Sequence, residues 1–60
     1  MDKLLTINQL SELLQIKKST IYSWTFSKRI PHIKLYGSLR FREKEISRWI
    51  DSQMEEPKKF

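Results

Sequence analysis

Between Lys17 and Ser23 the chain reads Lys-Lys-Ser-Thr-Ile-Tyr-Ser: two cations, then hydroxyl-bearing side chains, with no acid among them. Ser19, Tyr22 and Ser23 are three and four residues apart, so a helix puts them on one face. Such a face can hydrogen-bond to base edges or phosphates while the lysines neutralise charge. The basic series continues through Lys28, Arg29, Lys34, Arg40, Arg42 and Lys44, with Glu43 the only acid in the stretch. The whole chain has 12 Lys+Arg against 7 Asp+Glu, a net charge of +5, and both ends are close to neutral. The excess therefore lies in the middle. That distribution suits a polyanion, bound with release of counterions from its phosphates. A solvated basic face that keeps the protein soluble is the plainer reading, and charge alone does not separate the two.

The inventory excludes much else. One His, no Cys and one Gly leave most metal, nucleophilic and phosphate-cradle chemistry without its groups. A chain of 60 residues offers little room for a closed pocket. No enzyme activity, catalytic residue, cofactor or metal is expected. No apolar stretch is long enough for a membrane span or a signal-peptide core. The expected location is the cytoplasm of a bacterial cell, with or without association with the nucleoid. The length allows one domain, expected over 1–56, with a disordered tail at 57–60. Folding at this size buries only about 60% of the exposed surface of the unfolded chain. Two Trp, three Phe and two Tyr concentrate apolar area in few residues.

These residues need elements to hold them. Thr6-Ile7-Asn8-Gln9 reads as a capping box, with Leu5 and Leu10 placed as the matching hydrophobic staple. Ile7, Leu10, Leu13 and Leu14 then repeat on one helical face, predicting a helix over about 7–14. Ile16 follows as a plug between helices. A second helix is expected over about 18–27, with Ile21 and Trp24 inward and Thr20 and Phe26 on the flanks. Its outer face carries Lys18, Ser19, Tyr22, Ser23 and Ser27. Pro31 disfavours helix at Ile30. Period-two alternation on both sides of Gly37-Ser38 predicts a β-hairpin. Ile33 and Leu35 share one face of its first strand, and Leu39 and Phe41 share one face of its second. The opposite faces carry His32, Lys34, Tyr36, Arg40 and Arg42, and the pattern leaves open which hairpin face is buried at each end. A third helix starts at Glu43, where acids suit the helix dipole. Ile46, Trp49 and Ile50 form its inner face, and it frays near 53–56.

Two short helices joined by a tight turn, with a basic, acid-free face on the second, make a helix-turn-helix unit. The hairpin beside it is a wing, and the third helix closes the core. The expected fold is mainly α with a β-hairpin: a winged helix-turn-helix in the order α-α-β-β-α.

Over Leu5 to Ile50 the chain resembles the excisionase and AlpA-like branch of the MerR-type winged helix-turn-helix superfamily. The resemblance rests on Leu5-Thr6-Ile7, Leu13-Leu14-Gln15-Ile16, Ser19-Thr20-Ile21-Tyr22, Ile30-Pro31, and Arg40-Phe41-Arg42 running into Ile46 and Trp49-Ile50. It implies DNA binding, by recombination directionality factors of phages and mobile elements or by small regulators of transcription. Two departures stand out. Gln15 occupies a turn position where the family usually has Gly, at a cost of about 1 kcal/mol. Lys17 starts the second helix where Ser, Thr or Asp is common, so that cap is weak.

The candidate DNA-contacting residues are Lys17, Lys18, Ser19, Thr20, Tyr22, Ser23, Lys28, Lys34, Arg40 and Arg42. Tyr22, Ser19 and Ser23 are placed to meet the major groove, and Lys17 and Lys18 to meet phosphates. Arg40 leads among the wing residues for backbone or minor groove. Thr20 divides evenly between packing and backbone contact. Lys28 and Arg29 have a second reading, as charges on the helix C-terminal dipole. His32 reads as a strand-edge residue. Trp24, Phe41 and Trp49 read as core. The partner expected is double-stranded DNA, with an integrase or cooperative copies of the chain supplying further affinity. The coiled coil and sensor domain of larger MerR-type regulators have no counterpart in this length, so no small-molecule effector is expected. The alternatives are a protein-interaction module that modulates a host or phage protein, and an RNA binder. The first would more naturally expose apolar anchors, and the second would need aromatic stacking platforms on a sheet.

Overall fold

The computed structural model describes residues 2–54. The expected tail at 57–60, and the end of the expected domain at 55–56, lie outside these residues. Six elements follow in order: β1 (Leu4–Leu5), α1 (Ile7–Leu14), α2 (Lys18–Phe26), β2 (Ile33–Leu35), β3 (Ser38–Arg42) and α3 (Glu43–Ser52). The fold is the winged helix-turn-helix anticipated from the sequence, with one strand added ahead of it.

α1 opens on the capping box. The Gln9 amide donates to Thr6 Oγ1 at 3.1 Å, and the Thr6 amide donates to Gln9 Oε1 at 2.9 Å. Both bonds satisfy amides that have no partner within the helix. The helix closes on Gln15 in the left-handed region, at φ 57° and ψ 41°. The Ile16 amide reaches back to the Ser11 carbonyl at 3.2 Å, and Ser11 Oγ donates to the Ile16 carbonyl at 2.6 Å. Gln15 Nε2 donates to the Glu12 carbonyl at 3.0 Å. The turn between α1 and α2 is thus tied at several points despite having no glycine.

α2 ends in a second left-handed closure that the sequence did not announce. Lys28 stands at φ 56°. Its amide donates to the Thr25 carbonyl at 3.1 Å, and the Arg29 amide donates to the Trp24 carbonyl at 2.8 Å. This is the paired bonding of a Schellman motif, with lysine in the place that glycine usually takes.

β1 pairs antiparallel with β3, Leu4 opposite Arg42 and Leu5 opposite Phe41. The wing is therefore part of a three-stranded sheet in the order β1-β3-β2. The N-terminal segment also serves α3, whose N-cap Arg42 makes no side-chain capping bond. The Glu43 amide donates to the Lys3 carbonyl at 2.9 Å, and the Lys44 amide to Asp2 Oδ1 at 3.4 Å. Glu43 and Glu45 in the first turn complement the dipole.

The hairpin turn is one residue earlier than Gly37-Ser38. Leu35 pairs with Ser38, so Tyr36 and Gly37 form the two-residue loop, with φ of 50° and 85°. Positive φ at both central positions is the geometry whose twist matches the flanking strands. This register sets Ile33 opposite Arg40 and Lys34 opposite Leu39. Directly paired residues share a sheet face. The apolar side chains of β2 and β3 consequently lie on opposite faces of the hairpin.

The core is Leu5, Leu10, Ile21, Ile30, Phe41 and Ile46, with Ile7, Leu14, Ile16, Trp24, Leu39 and Trp49 packed partly buried against it. Phe41 is core as expected. Trp24 and Trp49, also read as core, pack against it but are only half-buried. Leu13 and Ile50, expected on inner helical faces, are 58% and 42% exposed. The sheet and the other helices cover only the centre of each helical face, and a molecule this small has no further layer for its margins.

Candidate nucleic-acid interface

α2 buries Ile21 completely and half-buries Thr20, Trp24 and Thr25 on one side. The remaining arc exposes Lys18, Ser19, Tyr22, Ser23, Phe26 and Ser27. It holds no acidic residue. The nine residues of α2 span about 14 Å, a length that fits within a major groove. Thr20 is half-buried on the same side of α2 as Trp24.

The N-terminal end of α2 carries Lys17 and Lys18, both exposed. Lys17 is the N-cap residue and makes no side-chain capping bond. The first amides of α2 are therefore left to solvent or to an anion, and lysines beside them favour an anion. At the other end, the left-handed turn at Lys28 brings the chain back along α2 toward the wing.

An open cleft of about 390 Å³ separates α2 from the wing, lined by Tyr22, Thr25 and Phe26 on one side, His32, Lys34 and Leu39 on the other, and Lys28 at its end. His32 Nδ1 lies 2.8 Å from the Ile30 carbonyl. A carbonyl only accepts, so Nδ1 carries the proton in this contact and leaves Nε2 unoccupied by it.

The ten sequence candidates fall into three groups. Lys17, Lys18, Ser19, Tyr22 and Ser23 lie together on the exposed side of α2 or at its start, with Thr20 half-buried at the edge. Lys28 and Lys34 both line the cleft between α2 and the wing. Arg40 and Arg42 are on the opposite face of the sheet. Arg40 pairs with Ile33, is half-buried, and turns its guanidinium back so that Nη1 donates to the Leu39 carbonyl at 2.7 Å. Arg42 is exposed beside Pro31, Ile33 and Glu45. Lys34 is thus the wing cation that shares a face with α2, while Arg40 is not.

Sequence reasoning missed one prominent member. Phe26, read as a flank of the core, is 89% exposed on the outer arc of α2. Its spacing of four from Tyr22 and seven from Ser19 carried that information, because those intervals keep a residue on the same helical face.

A short helix pair tied through a tight turn, the second helix free on an acid-free outer face and flanked by a basic wing, defines a DNA-binding domain. Residues 4–54 match the model of the helix-turn-helix domain family, and the chain belongs to that family. It is a DNA-binding protein. Searches of curated proteins and of solved structures returned no match. No helix among the described residues is long and apolar enough to cross a membrane.

Proposed function

We propose that the chain binds specific sequences in double-stranded DNA, in the manner of an excisionase-like directionality factor or a small transcription regulator of the MerR-type group. α2 enters the major groove and the wing meets backbone or minor groove. The observation that carries this reading is the outer arc of α2. Hydroxyl and aromatic side chains there are free of any acid, and Lys17 and Lys18 at one end and Lys28 and Lys34 at the other bracket them with positive charge. Base edges vary along the major groove floor while phosphates line its rims. A strip that is polar in the middle and cationic at both ends matches that order.

Recombination and transcriptional roles share this binding step. A directionality factor shifts the products of an integrase reaction toward excision in a purified assay; a regulator changes promoter output without an integrase. Exposed Leu13 and Ile50, beside the half-buried Trp49, give the back of the domain apolar anchors of the kind protein contacts use. They support a second contact, with an integrase or with a neighbouring copy on DNA, and they are a feature that favours the protein-interaction alternative.

The test of DNA binding is a titration of duplex DNA at several salt concentrations. Five or so phosphate contacts give a log–log slope of about −4 to −5, at about −0.9 per contact. A slope near zero, or no binding at low salt, removes the DNA reading.

A further inference from the structure

Phe26 is 89% exposed and Tyr22 45% exposed on α2. They are one helical turn apart, with a rise of about 6 Å between them. No element of the described fold packs over Phe26: the cleft toward the wing is open, and the wing side of it presents Lys34 and Leu39. A lone exposed aromatic is ordinary on a protein surface. Two of them in register with Ser19 and Ser23, on the outer face of a DNA-binding helix, are a patterned surface. Whatever covers it must offer apolar groups among hydrogen-bonding ones at the centre, to meet the two rings and the hydroxyls between them, and anionic groups at the margins, because Lys18 and Lys28 lie at its ends and no acid interrupts it.

The major groove at thymine offers that combination. Each thymine presents a C5-methyl group on the groove floor, between two phosphate rims. A rise of 6 Å is close to two base steps of about 3.4 Å. We propose that Tyr22 and Phe26 form an aromatic strip that packs on C5-methyl groups of thymines about two base pairs apart, so that the recognised DNA site is specified in part by its methyl pattern and not only by hydrogen bonds. This inference rests on the reading of α2 as the major-groove helix.

The experiment begins by selecting a site from a randomised duplex pool with the full chain. Each thymine in the selected site is then replaced singly by deoxyuridine, which deletes the methyl group and keeps the pairing edge. The expected result for the native chain is a loss of about fourfold in affinity at one or two positions, the fold-change that burial of one methyl-sized group gives. In Phe26→Ala the loss at one of those positions disappears, and in Phe26→Leu part of it remains. Phe26 is exposed, so Phe26→Ala keeps the native far-UV spectrum and melting temperature, and its weaker binding cannot be assigned to unfolding.

Neutral uracil at every thymine overturns the inference while leaving DNA binding in place. So does an undiminished uracil penalty in both Phe26→Ala and Tyr22→Ala. A native chain that sediments as a dimer and a Phe26→Ala chain that sediments as a monomer, with unchanged DNA affinity, assign the strip to a contact between copies and also overturn it. Failure to enrich any duplex, together with binding that is insensitive to salt, overturns the DNA reading itself.

Discussion

Trp49 Nε1 donates to the backbone carbonyl of Arg29 at 2.8 Å, so α3 holds the residue that closes α2. The Arg29 amide is engaged in the same closure, donating to the Trp24 carbonyl at 2.8 Å. The two indoles lie against each other with ring centroids 5.7 Å apart and planes tilted by 53°, a favourable aromatic geometry. The C-terminal end of α2 is therefore fixed by a polar bond and a ring contact, both from α3. The third helix sets the orientation of the helix that carries the interface.

Trp49→Phe tests the polar half of that link. The ring contact largely persists and the donor is lost. Water can reach the Arg29 carbonyl, so the cost is about 0.5–1.5 kcal/mol. For a domain this small, each kcal/mol lowers the melting temperature by roughly 4–8 °C. Trp49→Ala removes the ring as well and costs about 3 kcal/mol, the low end of the range for buried aromatics because Trp49 is only half-buried. Equal melting temperatures for Trp49→Phe and the native chain show that the bond does not hold α3 in place.

Gln15 and Lys28 both close helices in the left-handed region without being glycine. A side chain there costs about 1–2 kcal/mol, offset in part by the greater unfolded-state freedom of glycine. Gln15→Gly and Lys28→Gly should each raise stability by about 0.5–1 kcal/mol in urea or thermal unfolding. Their effects on DNA binding should then diverge. Gln15 lies in the turn between α1 and α2, and its replacement leaves affinity unchanged. Lys28 lines the cleft beside α2, and its replacement weakens binding even as the fold becomes more stable. Such a divergence separates a lysine retained for the ligand from one retained for the fold. Parallel loss of stability and affinity in Lys28→Gly would contradict it.

What the sequence made legible was local. Thr6 and Gln9 specify their bonds within three residues, and the spacing of Ile21 from Trp24 orients α2 without reference to the rest of the chain. Contacts set by distant partners were not legible. β1 is two residues long, too short to show alternation, and it is a strand only because Leu5 reaches Phe41. The hairpin turn was misplaced by one residue because Tyr36 carries no left-handed signal of its own. That step moves each cross-strand partner by two residues and keeps the faces: in either register Lys34 lies on the face of Leu39 and Phe41, and Arg40 on the face of Ile33. Period-two alternation within each strand did not reveal that the apolar residues of the two strands lie on opposite faces, which is what puts Lys34, not Arg40, on the side of α2.

That exchange leads to the sharpest test of how the surface divides its work. Lys34 faces α2 across the cleft, while the Arg40 guanidinium is folded onto the Leu39 carbonyl on the other side of the sheet. If the wing meets phosphate through the face it shares with α2, Lys34→Ala weakens binding to cognate and random duplexes by similar factors. It also makes the salt slope shallower by about 0.9, the change for one phosphate contact. Arg40→Ala then changes the slope by less. Tyr22→Ala combined with Ser23→Ala should behave differently again. Both side chains lie on the outer arc of α2, where base edges are within reach of a groove-bound helix. That variant should lose discrimination between cognate and random DNA with little change in slope, because it removes no charge. Titrations of all three variants on both duplexes at several salt concentrations give the comparison. A helix variant that keeps its specificity ratio, beside an Arg40 variant that loses it, would mean that the far face of the wing reads sequence while α2 only anchors. The fold would stand in that case, but the DNA would have to approach from the other side of the sheet.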